Sequence, residues 1–212
     1  MDEHLAEGAV FIDVGAHVGV YSVLAAKRVG SQGKVFAIEP QSVGIAAIEI
    51  SAALNGFTHL HAILGAVGKT AGLIPLDLES FGAAVVDQSR ARENSTLVQC
   101  LALDDLATQN SLAKIHLLKL DAGGNEAEVL LGAKELLRSR QLQAIVMKLY
   151  HPDVIHQRFG KTTWDAIAWL HSHEYTTDAV FHGKVLGLQA VEDLSKIFSD
   201  GSYCHILIAR PA

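Results

Sequence analysis

Short apolar runs alternate along the chain with longer stretches in which apolar residues recur every three or four positions. The runs predict β-strands, and their nearly continuous apolar character is typical of parallel strands covered on both faces. The longer stretches have the spacing of amphipathic helices. The predicted strands are AVFIDV (9–14), KVFAIEP (34–40), HLHAIL (59–64), IHLLKLD (115–121) and QAIVMKLY (143–150), and the predicted helices are VGVYSVLAAKRVG (18–30), SVGIAAIEISAALNG (42–56) and NEAEVLLGAKELLRS (125–139).

This alternation predicts an α/β fold with a Rossmann-like, doubly wound sheet, in which Gly30 and Gly56 end the first two helices. A hairpin or loop is predicted at residues 72–102, where the polar sequence QSRAREN interrupts the pattern. The loop from Ser80 to Thr96 within it could close over the substrate. The C-terminal part, 151–212, predicts a helix, a strand, a short helix and the closing strand YCHILIARP. We expect a single domain over residues 1–212.

Composition narrows the classes of protein to consider. Half of the residues are hydrophobic, enough for a full core, and the net charge is −6 without a basic cluster. This argues against nucleic acid or a membrane surface as partner. The two cysteines do not indicate a disulfide framework, and the acidic N-terminus MDEHLAEG is not predicted to be a signal peptide. We therefore expect a cytoplasmic protein, and a homodimer stays open.

Two glycines follow the first predicted strand in FIDVGAHVG, namely Gly15 and Gly19, with Ala16 and His17 between them. The first strand of a doubly wound sheet ends where ligands bind, and a glycine there permits a tight turn and leaves space for one. A dinucleotide fingerprint, G-x-G-x-x-G, needs a middle glycine that this chain lacks. The site therefore suits a nucleoside without a diphosphate, and a nicotinamide dehydrogenase is disfavoured.

Acidic residues end both of the first two predicted strands. Asp13 would repel a pyrophosphate but would favour an ammonium or a sulfonium group. Glu39, followed by Pro40, lies about where an acid accepts hydrogen bonds from ribose hydroxyls. Together with the glycines these acids fit S-adenosylmethionine. The alternative is that Asp13 only caps the next helix and that Glu39 is an exposed strand end.

These stretches resemble the FkbM-type family of class I S-adenosylmethionine-dependent methyltransferases. The resemblance rests on FIDVGAHVGVYSVLAAKRVG, KVFAIEP, the Leu-Asp-Asp of CLALDDL and LLKLDAGGNEAEVLLGAKELL, in the order of the family. It implies a seven-stranded, mostly parallel sheet with an antiparallel last strand. It also implies methylation of hydroxyl groups on polyketides, sugars and other secondary metabolites, with S-adenosylhomocysteine as the product.

Site residues follow from the resemblance position by position. It implies that the methionine part of the cofactor lies near Asp13, Gly15, Ala16, His17 and Gly19, the ribose near Glu39 and Pro40, the adenine near Gly65 and Ala66, and that Asp121 faces both cofactor and acceptor. Two acids of the family pattern are replaced, because Gly123 and Lys148 stand where acids are expected. These replacements leave a non-catalytic cofactor-binding module open.

Methyl transfer to a hydroxyl needs a general base. Asp121 is the first candidate because it ends the strand bordering the site, and His151 is the second because its ordinary pKa suits the task. Lys148 could stabilise a developing alkoxide. A divalent metal at Asp121, with Asp104, Asp105 or His151, is a less favoured alternative. We predict O-methylation of a small molecule, with N-methylation as the alternative.

Overall fold

The structure is a computed structural model that describes residues 4–77, 84–85, 95–153, 163–181, 184–190, 192–198 and 204–212. Its strands are β1 (Val10–Val14), β2 (Lys34–Glu39), β3 (Leu60–Leu64), β4 (Ala66–Val67), β5 (Gly72–Asp77), β6 (Ala84–Val85), β7 (Thr96–Leu101), β8 (Leu117–Leu120), β9 (Ile145–Tyr150), β10 (Tyr175–Phe181), β11 (Lys184–Gly187) and β12 (Cys204–Pro211). Its helices are α1 (Val20–Val29), α2 (Ser42–Asn55), α3 (Leu103–Gln109), α4 (Glu126–Leu131), α5 (Lys134–Arg138), α6 (Thr163–Ser172) and α7 (Glu192–Ile197).

Among the residues that the structure describes, the main sheet has eight strands in the order β11-β10-β12-β9-β8-β1-β2-β3. Strands β1, β2, β3, β8 and β9 pair in parallel, and β12 is antiparallel to both β9 and β10. The predicted doubly wound sheet with an antiparallel last strand is confirmed. Seven strands were expected, and the additional one is the edge strand β11, antiparallel to β10.

Two apolar cores cover the two faces of this sheet. Phe11 belongs to the core beneath α1 and α2, whereas the next residue, Ile12, belongs to the larger core on the opposite face. Leu117 and Leu118 divide in the same way, because successive side chains of a strand point to opposite faces. Strands buried on both sides explain the continuous apolar runs in the sequence.

A second sheet, with four strands in the described part of the chain, has the order β4-β7-β5-β6. β5 and β7 pair antiparallel, with Gly72 opposite Cys100, and both strands lie within the region of the predicted hairpin or loop. β4 pairs in parallel with β7 directly after the turn at Gly65. Most of the predicted loop from Ser80 to Thr96, with its expected closure over a ligand, lies outside the described residues.

The predicted helix at 125–139 is wrong as a single element. Two helices, α4 and α5, replace it, and Gly132 ends the first of them. A Cβ atom on Gly132 would lie 2.1 Å from the backbone oxygen of Gly68, so the chain passes close to β4 at this point. The periodicity of the sequence continues through the break and does not reveal it.

In the ranges that the structure describes, no helix is both long and apolar enough to cross a membrane.

Candidate active site

The predicted site lies at the carboxyl ends of the parallel strands, around the contact between β1 and β8. The chain continues from β1 to its neighbour β2 on one side and from β8 to β9 on the other. Such a reversal of strand order opens a crevice in which doubly wound proteins bind ligands. The residues at or just beyond these strand ends include Asp13, Gly15, Glu39, Asp121, Lys148 and Tyr150.

The loop between β1 and α1 is held against neighbouring backbone. The N–H groups of Gly15 and Ala16 both donate to the carbonyl oxygen of Ile38, at 3.0 and 3.1 Å. Gly15 has a φ of 71°, and a Cβ atom there would lie 2.0 Å from the carbonyl oxygen of Asp121. The protein's own backbone therefore requires glycine at position 15, whether or not a ligand is bound beside it.

Gly19, the residue directly before α1, is under a comparable constraint. Its φ is 83°, and an added Cβ atom would lie 2.6 Å from a side-chain carbon of Ile48 in α2. α2 also approaches the loop directly, since a Cβ atom on Gly44 would lie 2.5 Å from the backbone oxygen of His17. Gly15 and Gly19 thus allow the loop to pack closely between the end of β8 and α2.

Glu39 fixes the same loop through its carboxylate. Its side chain is 5% exposed, and its two oxygens accept hydrogen bonds from the backbone N–H groups of His17, at 2.8 Å, and Gln41, at 3.0 Å. His17 has a positive φ of 53°, and its side chain is exposed. A carboxylate oxygen can accept more than one hydrogen bond, so these two contacts do not use all of the acceptor capacity of Glu39.

Asp13 is entirely enclosed by protein. Its side chain is 0% exposed, and its two oxygens accept hydrogen bonds from the Ser22 hydroxyl and the Lys119 ammonium, both at 2.7 Å. The buried Lys119–Asp13 ion pair follows from the strand register, which places these residues opposite each other. A ligand could contact the Asp13 carboxylate only by displacing one of these partners.

The turn expected near the adenine, Gly65 and Ala66, is buried. The N–H group of Gly65 donates to the carbonyl oxygen of Glu39 at 3.1 Å, which places this turn beside the end of β2. Ala66 begins β4 and lies opposite Cys100 of β7. Contact of either residue with adenine stays a prediction.

Asp121 lies at the centre of a polar cluster. The Tyr150 hydroxyl donates to its Oδ1 at 2.9 Å, and the Lys148 ammonium is 3.7 Å from its Oδ2. The ammonium also lies 4.9 Å from the centre of the Tyr150 ring. The Asp121 side chain is 36% exposed and that of Lys148 is 31% exposed. A carboxylate held on two sides and partly open to solvent can accept a proton from a bound molecule.

His151 is not part of this cluster in the contacts that the described residues provide. Its Nδ1 accepts a hydrogen bond from the backbone N–H of Asp153 at 3.2 Å, and its ring packs edge-on against Phe198. Asp121 and Lys148, both candidates from the sequence, thus lie together in the structure, while His151 stays a separate candidate.

A family profile described as "Methyltransferase FkbM domain" matches residues 13–176, which is most of the chain. The chain belongs to the FkbM methyltransferase family. The resemblance stated from the sequence is thereby confirmed, and the matched residues run from Asp13 through Asp121 and Lys148. A comparison with curated proteins finds no match.

Solved structures of methyltransferases share the fold of this FkbM-family domain. An FkbM methyltransferase from Methylobacillus flagellatus KT has a TM-score of 0.61 at 14% identity, over 96% of this chain but only 44% of that one. A SAM-dependent methyltransferase from Aquifex aeolicus has a TM-score of 0.53 at 15% identity, over 100% and 86% of the two chains. Fibrillarin from Aeropyrum pernix, with natively bound S-adenosylmethionine, has a TM-score of 0.53 at 11% identity, over 98% and 68%.

Three residues that organise the site were not among the predicted site residues. Tyr150 bonds Asp121, and its spacing of two from Lys148 on one strand would have placed both side chains on the same face. Lys119 could have been paired with Asp13 only once the strand register was known. The third, Glu126, lies in the stretch LLKLDAGGNEAEVLLGAKELL that carries the resemblance but was not named as a site residue.

Glu126 braces the turn that follows Asp121. It is 5% exposed, and its Oε1 accepts hydrogen bonds from the N–H groups of Ala122, at 2.9 Å, and Gly124, at 3.2 Å. Burial raises the pKa of the Glu126 carboxyl from 4.5 to about 7; the backbone hydrogen bonds oppose this rise and the nearby Asp121 carboxylate adds to it. Gly123, in the place of a family acid, adopts a φ of 66° in the same turn.

Replacing Glu126 by glutamine should change the pH dependence of stability. Because the folded-state pKa is raised, the contribution of this carboxyl to stability is fully present below about pH 4.5 and is lost as the pH rises through about 7. Glu126→Gln keeps an oxygen for the two N–H groups but does not titrate. Relative to wild type, the variant should gain about 3 kcal/mol in free energy of unfolding between pH 4.5 and 8.

Urea unfolding at several pH values measures this difference. Glu49→Gln is the matched control, because it makes the same chemical change at an exposed position on α2. Parallel stability curves for Glu126→Gln and wild type would show that the buried carboxyl does not take up a proton in this range.

The residues considered for a metal do not form one site. The Asp104 carboxylate accepts hydrogen bonds from the N–H groups of Glu135, at 2.9 Å, and Leu136, at 3.0 Å, and so caps the start of α5. Within the part of the chain that the structure describes, no group of three histidine, cysteine, aspartate or glutamate side chains could hold a metal ion.

Proposed function

We propose that this FkbM-family domain methylates a hydroxyl oxygen of a small metabolite, such as a sugar or a polyketide, with S-adenosylmethionine as the methyl donor. Family membership supports the donor. The observation that carries the acceptor chemistry is the Asp121 carboxylate, partly exposed at the reversal of strand order and bonded by the Tyr150 hydroxyl. A carboxylate in that position suits an acceptor that must lose a proton.

The residues present fit the cofactor. Glu39 has acceptor capacity for the ribose hydroxyls, with Pro40 following it, and the turn at Gly65 and Ala66 lies beside Glu39 for the adenine. The loop containing Gly15, Ala16, His17 and Gly19 borders the expected methionine part. S-adenosylmethionine, when bound, supplies a methyl group activated by its sulfonium. The protein's task is to align the acceptor with that group and to exclude water.

In our proposal Asp121 takes the proton of the acceptor hydroxyl. The Tyr150 hydroxyl fixes one carboxylate oxygen, which leaves the other oriented towards Lys148 and the open edge of the site. The Lys148 ammonium would stabilise negative charge developing on the acceptor oxygen. His151 remains the second candidate base. The pairing of Asp121 with a lysine, where the family has an acid, is the observation that keeps a non-catalytic cofactor-binding module as the second candidate function.

Net charge of −6 supports a free small molecule, rather than nucleic acid or a membrane, as the acceptor. We further propose a cytoplasmic setting, and a homodimer stays open.

Two measurements on the purified domain test this function. Calorimetry with S-adenosylhomocysteine tests cofactor binding, and transfer of a labelled methyl group to matched panels of small hydroxyl and amine compounds tests chemistry. We expect binding, and label on hydroxyl compounds at basic or neutral pH. Label on amines alone would replace oxygen by nitrogen as the acceptor. Binding without any transfer would favour the non-catalytic module, and absence of binding would overturn the proposal.

A further inference from the structure

We propose that Lys119 binds the carboxylate at the amino-acid end of the cofactor and that Asp13 acts as a positioning residue, holding Lys119 rather than contacting the cofactor's ammonium. This inference rests on the proposed function, because it concerns the same cofactor. The sequence predicted the opposite arrangement, in which the acid at the end of β1 binds a cationic group of the ligand.

The contacts of Asp13 make it unsuited to hold a ligand. Both carboxylate oxygens are engaged at 2.7 Å, one by Ser22 and one by Lys119, and the side chain is 0% exposed. Removing Asp13 from Lys119 to free it for a ligand would leave a buried charge without its partner, which is strongly unfavourable. Asp13 is therefore best described as the fixed counter-ion of Lys119.

Lys119 is held beside the loop between β1 and α1. Its ammonium donates to Asp13 Oδ1 at 2.7 Å and to the carbonyl oxygen of Gly15 at 3.2 Å, and it lies 5.4 Å from the centre of the half-exposed Tyr21 ring. A lysine ammonium has three N–H donors, and these two hydrogen bonds use two of them. The side chain keeps 15% exposure, so a third donor can reach a ligand lying along the loop.

The loop itself has few donors left for an anion. The N–H groups of Gly15 and Ala16 donate to Ile38, that of Gly19 donates to Ala16, and that of His17 donates to Glu39. A carboxylate lying along this loop therefore cannot use these four amides. Lys119 is the cation already fixed against Gly15, which makes it the group best placed to bind the carboxylate with a charge-assisted hydrogen bond.

Two ligands that differ in their amino-acid part separate this role from a structural one. S-adenosylhomocysteine carries the carboxylate, whereas 5′-methylthioadenosine has the same adenosine and sulfur without it. In the double variant Asp13→Asn/Lys119→Met, which removes both buried charges together, S-adenosylhomocysteine should bind about 10- to 100-fold more weakly. Binding of 5′-methylthioadenosine should change by less than about threefold, because the lost interaction is only with the carboxylate.

The single variant Asp13→Asn gives an independent result that does not depend on the double variant folding. Asparagine keeps an oxygen that can accept the hydrogen bond from Lys119, so the ammonium stays charged and in place, and S-adenosylhomocysteine should bind within about threefold of wild type. If Asp13 instead held the cofactor's ammonium, its affinity would fall by about tenfold or more. Lys34→Met is the control, since Lys34 is an exposed strand lysine at the amino end of β2.

The outcomes are distinct from those that test the function. A wild-type domain that binds neither ligand overturns the proposed function. A domain that binds S-adenosylhomocysteine, but whose double variant loses both ligands equally or loses neither, overturns only the assignment of Lys119. Loss of S-adenosylhomocysteine binding in Asp13→Asn, with 5′-methylthioadenosine unaffected, also overturns it, because the acid rather than the lysine would then hold the amino-acid end.

Discussion

Replacing Gly15 by alanine is expected to lower the free energy of unfolding by about 3–5 kcal/mol, through a positive φ and a backbone clash together. The new methyl group would lie 2.0 Å from the carbonyl oxygen of Asp121, and backbone cannot move aside as a flexible side chain can. Relief of the clash requires β1 and β8 to separate at the point where the site is built. Urea unfolding of the variant measures the loss.

Gly56→Ala is the matched control for this prediction. Gly56 has a φ of 68°, close to the 71° of Gly15, but a Cβ atom there meets nothing within 4 Å. Its replacement should therefore show the cost of the backbone conformation alone, about 1 kcal/mol. Equal losses in the two variants would mean that the approach of Asp121 is not what requires glycine at Gly15.

The elements that the sequence predicted well are those whose burial produces a recognisable local pattern of apolar residues. β1 and β8 are covered on both faces by separate cores, so they read as continuous apolar runs bounded by turns. The glycines at the ends of α1 and α2 adopt positive φ values of 64° and 68°, and a glycine after an amphipathic stretch is a local signal for such an end.

The elements that were missed depend on distant parts of the chain. The break between α4 and α5 comes where Gly132 approaches the backbone of Gly68, a contact that periodicity within the helix cannot show. β11 is a four-residue edge strand, and its Val185 is 67% exposed. Such an edge strand has neither a continuous run of buried apolar residues nor a regular alternation of apolar and polar residues, which are the two patterns by which strands are recognised in a sequence.

The candidate site likewise contains residues whose position could be predicted from the sequence and contacts that depend on distant parts of the chain. The ends of predicted strands were enough to bring Asp121 and Lys148 together, because parallel strands in one sheet end at one edge. The partners of Asp13 could not be derived, since they depend on a register that pairs residue 13 with residue 119. The acid was therefore expected to face a ligand, whereas the structure encloses it with Ser22 and Lys119.

The surroundings of Asp121 decide which replacement tests it most sharply. Tyr150 donates to its Oδ1, and asparagine would keep an oxygen at that position for the same hydrogen bond. The change removes the negative charge near Lys148 and the ability to accept a proton, while the backbone N–H of residue 121 still donates to Val14. The shape of the cofactor crevice should thus be preserved.

Asp121→Asn is expected to slow methyl transfer by about 10²- to 10⁴-fold, the range typical of a positioned general base. Affinity for S-adenosylhomocysteine should change by less than about threefold, because asparagine keeps the size and one acceptor oxygen of the side chain that faces the cofactor. Single-turnover transfer to the hydroxyl compound found in the acceptor screen measures the first effect, and calorimetry measures the second. Asp105→Asn, on the exposed side of α3, is the control with the same chemical change. Methyl transfer at the wild-type rate in Asp121→Asn would contradict the prediction and would leave His151 as the candidate base.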